Sequence, residues 1–183
     1  MGWLILVVLV LLVLCWAVGA NNRLVRLRAE VMRQWALVDT IWLKWLLRFQ
    51  GSVAARQILA WSSEMDDLQS LQDACEAVVE ALADARQQML DADSQQKLLQ
   101  RHEALMQCID DVATRVPVTI RPYLQSAQTR ILQNIPPALV PYHQAAVLYN
   151  DALTQAPACW LARRRGLQPA QLLRLPVRVE AQA

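Results

Sequence analysis

The chain has 183 residues, enough for one modest domain and a short appendage. Its 18 Lys and Arg against 16 Asp and Glu leave a net charge of +2, too small a basic excess for a nucleic-acid surface. An apolar fraction of 55% with only 4 Gly disfavours a sheet fold built on many tight turns.

No charged side chain occurs from Met1 to Ala20, and residues 3–18 read WLILVVLVLLVLCWAV. About 20 such residues, each rising 1.5 Å along a helix, span about 30 Å, the thickness of a hydrocarbon core. Trp3 and Trp16 lie towards opposite ends of the run, where indole rings prefer the membrane interface. A soluble core helix would carry a polar face, and this run has none. The rival is a cleaved signal peptide. Ala17-Val18-Gly19 resembles a small-x-small cleavage site, but no Lys or Arg precedes the run, which also exceeds a usual signal core. An uncleaved anchor is therefore the expectation. Arg23, Arg26, Arg28 and Arg33 follow the run, so the positive-inside rule places the N-terminus outside and the bulk of the chain in the cytoplasm. Anionic lipid would attract the same arginines. Cys15, Cys75, Cys108 and Cys159 show no close pairing, which fits a reducing compartment.

Charge is segregated along the chain. Residues 23–56 carry seven bases and two acids, a net +5; residues 57–113 carry twelve acids and three bases, a net −9. Residues 114–183 return to +6. Solvated faces of different helices explain this, and so does side-by-side packing of acidic and basic helices with the first basic block against a membrane.

Four apolar stripes recur at steps of three and four. The first holds Leu24, Leu27, Val31, Trp35, Val38, Trp42, Trp45 and Phe49 and continues the membrane run. Gly51-Ser52 is the first credible break, with Ser52 a candidate N-cap. The second holds Ile58, Trp61, Met65, Leu68, Cys75, Val79, Leu82 and Met89, interrupted by Gln72 and Arg86. A turn from Asp91 to Ser94 follows, whose Ser94 can cap the next helix. The third holds Leu98, His102, Leu105, Ile109, Val112 and Val116, closed by Pro117 and Pro122. The fourth runs Leu124, Ala127, Ile131, Ile135, Leu139, Tyr142, Ala146, Tyr149 and Leu153. Pro136, Pro137 and Pro141 predict a break or kink between Asn134 and Pro141, and Pro157 ends the element. The expected fold is all-α: a transmembrane helix (1–20) continuing into an elongated antiparallel four-helix bundle (21–160), then a weakly ordered Arg/Pro-containing tail (161–183). Core packing is the default for the tryptophans. Three indoles on one stripe would crowd a narrow core, so Trp42, Trp45 and Trp61 are the candidates for a partner or lipid contact.

Chemistry is sparse. Only two histidines exist, and His102 lies on an apolar stripe. A di-metal carboxylate bundle would want Glu three residues before each histidine, where Leu99 and Val140 stand. No zinc spacing, phosphate loop or nucleophile elbow occurs. The acidic run around Glu64, Asp66 and Asp67 lacks a calcium-loop pattern. No catalysis, metal or cofactor is expected.

Three passages resemble the LemA family of bacterial membrane-associated proteins. Asn22, Leu24, Val25, Leu27 and Arg28, then Trp35, Val38 and Asp39, are similar to the family's opening Tyr-Asn-x-Leu-Val-x-Leu-Arg and Trp-x-x-(Ile/Val)-Asp passages. Tyr149-Asn150, followed by Pro157, Ala162 and Gly166, resembles its closing passage. Pro117 or Pro122 falls where the family has a Tyr-Pro step. Departures are Asn21 in place of the opening tyrosine, residues 43–53 in place of an Arg-rich first turn, and Ala146 in place of an arginine. The resemblance implies an N-terminal anchor with an outward N-terminus and an antiparallel four-helix fold, and no particular activity. The expected partners are the lipid bilayer and a protein of unknown identity, with the chain acting as an inner-membrane interaction scaffold. The alternatives are a sensor or transport accessory binding a small apolar ligand or lipid at a Trp-lined surface, and a secreted bundle released by cleavage.

Overall fold

The computed structural model describes residues 1–57, 65–118 and 120–175. Five helices account for most of them: α1 (Gly2–Gln57), α2 (Met65–Gln87), α3 (Ala92–Arg115), α4 (Arg121–Thr154) and α5 (Ala158–Arg165). No strand occurs among the described residues.

α1 runs through the membrane-length stretch and on to Gln57 without interruption. Gly51 and Ser52 do not break it, contrary to the expectation. Gly51 is exposed, and a glycine there costs about 1 kcal/mol relative to alanine. Phe49 and Val53 on either side are buried, each contributing about 2 kcal/mol of apolar burial that holds the helix in place. Ser52 caps nothing; its Oγ donates back to the Arg48 carbonyl at 2.7 Å.

α2 buries Leu68, Leu71, Cys75, Val78, Ala81, Leu82 and Ala85. Val78, rather than Val79, faces the core, because Leu71 and Val78 complete the steps of three and four that Leu68, Cys75 and Leu82 begin. Ile58 and Trp61 lie outside the described residues. α3 is capped by Asp91, not Ser94: the Asp91 Oδ2 accepts from the Ser94 backbone N–H at 2.9 Å and from its hydroxyl at 2.8 Å. A carboxylate there also answers the positive end of the helix. The stripe from Leu98 to Val116 is buried throughout.

α4 is one helix, with Pro136, Pro137 and Pro141 inside it, so of the break or kink expected there the break does not occur. Each proline leaves the carbonyl four residues earlier without its helical donor. Those carbonyls belong to Leu132, Gln133 and Pro137, which are exposed, as are all three prolines, so the lost bonds fall on the outer side. Ile135, Leu139 and Tyr142 meanwhile keep the inner side buried. α1 packs on α4 and α2, and α3 packs on α2 and α4, around one shared core.

Beyond α4, residues expected to form a loose tail are built into the molecule as far as Leu175. Pro157, which follows a cis peptide bond, precedes α5, whose contacts are with α4 and α1. Gly166 closes α5 with φ +61°, and the Leu167 N–H returns to the Ala162 carbonyl at 3.0 Å, a six-to-one bond that favours glycine at the left-handed position. The next stretch is extended along α4. The Tyr149 hydroxyl donates to the Gln168 carbonyl at 3.2 Å, and the Tyr142 hydroxyl donates to the Gln171 carbonyl at 2.8 Å. Three extended residues and seven helical ones both cover about 10 Å, so the two rows stay in step. Ala170, between those two carbonyls, is held by Asn150, whose side chain donates to its carbonyl and accepts its N–H, both at 2.8 Å.

Candidate functional site

Two regions gather the residues singled out from the sequence. The first is the end of α1 that carries the apolar run. A window of 18 residues there has a mean hydropathy of 2.9 and none of it is buried within the protein, so this one helix is long and apolar enough to cross a membrane. Trp3 and Trp16 are exposed at its two ends. Asn22, Arg23 and Arg26 are exposed, Arg28 is half-buried, and Leu24 opens the core at 2% exposure. Arg23 donates to the Gln155 side chain at 3.4 Å, tying this end to the close of α4. A hollow lined by Trp16, Gly19, Ala20, Arg23 and residues 155–158 marks where the start of α5 meets it.

The second region is the row of indoles further along α1, and the three candidates for contact separate. Trp42 is wholly buried, its ring edge-on to His102 at 5.0 Å. A side chain with no exposed surface makes no partner contact, so that expectation is corrected: Trp42 is core. Trp35 is core as well, 5.5 Å from Tyr142. Trp45 is different. It stacks on Phe49 at 5.2 Å with the rings 6° from parallel, and its indole N–H donates to the Ala127 carbonyl at 3.0 Å. Together they floor a cleft of about 190 Å³ between α1 and α4, with Lys44, Arg48 and Arg130 at its rim. That volume is below the roughly 300 Å³ of ordinary small-molecule pockets, and its cationic rim suits an anion better than a neutral apolar ligand. Trp61 lies outside the described residues.

Asp39, Tyr149, Asn150 and Pro157 carry structural contacts that spacing alone did not disclose. Asp39, 8% exposed, accepts two hydrogen bonds from Arg86 at 3.0 and 3.1 Å, which explains the polar interruption of the second stripe. Tyr149 and Asn150 hold the extended stretch, and Pro157 introduces α5. The charge blocks pack less simply than block against block. Across α1 and α2 the pair is α1's acid with α2's base, while Arg115 meets Asp67 at 2.6 Å and Lys97 meets Asp84 at 2.8 Å between α3 and α2.

The titratable groups of the interior are set for inertness. Burial depresses the His102 pKa to about 4, so its imidazole is neutral at pH 7. Burial pushes the Cys75 thiol up to about 12, far from a reactive thiolate, and raises Cys108 as well. No group of three or more His, Cys, Asp or Glu placed to hold a metal occurs among the described residues.

The sequence reading missed the Asp39–Arg86 pair, α5 and the docked stretch. For α5 a signal was present: Trp160 within Ala158–Arg165, three closing arginines and Gly166 just beyond them form a short helix with a glycine cap. Comparison with protein-family models, with curated proteins and with solved structures finds no match for this chain.

Proposed function

We propose that the chain is a single-pass inner-membrane protein, LemA-like in layout, whose bundle works as a cytoplasmic interaction scaffold without catalysis. The antiparallel four-helix arrangement is supported by contacts that descend α4 as they climb α1: Arg23 with Gln155, Trp35 with Tyr142, Trp45 with Ala127. The anchor is supported by the unburied apolar window, and the cytoplasmic orientation by Arg23, Arg26 and Arg28 immediately after it.

One observation carries the scaffold reading. α4 buries one side and leaves Leu132, Val140, Val147 and Leu148 exposed on another, with Leu172 of the docked stretch beside the last two. Exposed apolar side chains gathered at one place, here Val147, Leu148 and Leu172, support a surface that another protein covers. A photo-crosslinking residue at Val147 or Leu148, in native membranes, should give a discrete adduct that the same probe at Gln107 on α3 does not. Identical adduct patterns at both places, or none at Val147 and Leu148, would overturn the reading.

The cleft floored by Trp45 and Phe49 favours a second reading, a sensor or transport accessory that takes an anionic lipid or metabolite. Its three cations and stacked rings support it. Saturable quenching of indole fluorescence by such an anion, abolished by Arg130→Gln, would separate it from the scaffold.

A further inference from the structure

α5 is short, lies far along the chain from the apolar run, and ends in three arginines. Its placement nonetheless puts it at the membrane end of α1. Ala158 shares a hollow with Trp16, Gly19, Ala20 and Arg23, and Arg165 shares the next one with Arg28 and Met32. α5 buries Ala158 and Ala162 and turns Trp160 outward, 65% exposed. Arg163, Arg164 and Arg165 are exposed, and none forms an ion pair among the described residues.

We propose that α5 is a second membrane contact, a helix whose first turn enters the headgroup layer and whose closing arginines bind the phosphates of anionic lipid headgroups. It rests on the reading of α1 as a transmembrane helix. The headgroup layer is about 6 Å deep on each side of the hydrocarbon core. Arg23, three residues past Ala20, stands about 5 Å beyond the span, inside that layer, and the start of α5 lies beside it. Trp160, in the first turn of α5, therefore lies near the interface that indole rings prefer, on the same side of the span as Trp16. The three closing arginines sit about 12 Å out, level with Arg28, from where a guanidinium on its flexible stem reaches back to the phosphates. Charge complementarity selects the occupant. Five cations, Arg23 and Arg28 beside α5 and Arg163 to Arg165 on it, face the bilayer side, which supplies anionic phosphate. Residues as far as 142 positions apart in sequence, Arg23 and Arg165, thus build one juxtamembrane belt, which a count of basic residues next to the span would miss.

The test uses the full chain in nanodiscs of phosphatidylcholine, with or without phosphatidylglycerol. The Trp160 signal is the fluorescence lost on Trp160→Phe, and lipids brominated near the headgroup should quench it, whereas chain-end bromines should not. With phosphatidylglycerol present, amides of α5 should exchange about tenfold to a hundredfold more slowly than in phosphatidylcholine alone. The triple variant Arg163→Gln, Arg164→Gln, Arg165→Gln should erase that difference. Quenching of Trp16 but not of Trp160 overturns the proposal while leaving the anchor intact. Trp16 left unquenched overturns the anchor itself. Exchange in α5 that ignores lipid charge but slows on adding an acidic protein would assign the arginines to a protein partner instead.

Discussion

His102 sits in the core at 4% exposure with its Nδ1 unbonded, its ring perpendicular to that of a wholly buried indole. Burial holds its pKa near 4 in the folded chain, against 6.5 when unfolded. As pH falls through 6.5 the unfolded chain gains a proton that the folded chain refuses, so stability declines from about pH 7 down to about 4 and then levels. The loss over that window is about 3 kcal/mol. His102→Leu, similar in volume, should remove this slope and change stability at pH 7 by less than about 1.5 kcal/mol. Denaturant midpoints at pH 7 and pH 4.5 for both proteins check it, and equal pH dependence in the two would refute it.

At the scale of single side chains, periodicity located the histidine but not the carboxylate. Asp39 and Arg86 lie on different helices, 47 residues apart, and each reads as an isolated charge until α1 and α2 are brought together. The same holds for Trp42 and Trp45. They share a stripe, yet one faces the middle of the core and the other its edge beside Ala127, a distinction set by neighbours and not by spacing.

Helices fared better than their ends. Stripes of buried residues follow from the 3.6-residue turn, so the faces of α3 and α4 could be read directly. Breaks could not, because Gly51 and the three prolines weaken a helix by amounts that burial on the opposite side exceeds. The stretch after Gly166 has no period at all. Pro169 bars a helix there, and its backbone partners come instead from Tyr142, Tyr149 and Asn150. Asn150→Ala removes both bonds to Ala170 and leaves a half-buried N–H and carbonyl without partners. It should cost about 1–3 kcal/mol locally. Limited proteolysis should then cut between Leu167 and Leu175 while α4 stays protected, and an unchanged digestion pattern would count against the role given to Asn150.

For the molecule as a whole, the apolar run and the core are separable. The run is unburied, whereas the core begins at Leu24. Deleting residues 2–15, which keeps Trp16 and the hollow beside α5, should move the chain to the soluble fraction. Its thermal midpoint should match that of the detergent-solubilised full chain within about 4 °C, the shift worth about 1 kcal/mol in a domain of this size. A much lower midpoint would mean that the run contributes to folding.

The 56 residues of α1 form a rod about 84 Å long, shared between the apolar run and the core. No loop separates the two, and Gly19, at the end of the run, lies within the continuous helix, so in a membrane-spanning chain the rest of the molecule would have no swivel. A tilt of about 10° in the bilayer, well within the usual range for spanning helices, would carry Gln57 sideways by about 10 Å. Turning the rod about its long axis would likewise sweep the exposed ridge of α4 around the membrane normal. In the membrane setting proposed above, the unbroken helix would make the molecule a pointer: lipid thickness and lateral neighbours would set the direction in which its outer surface is offered.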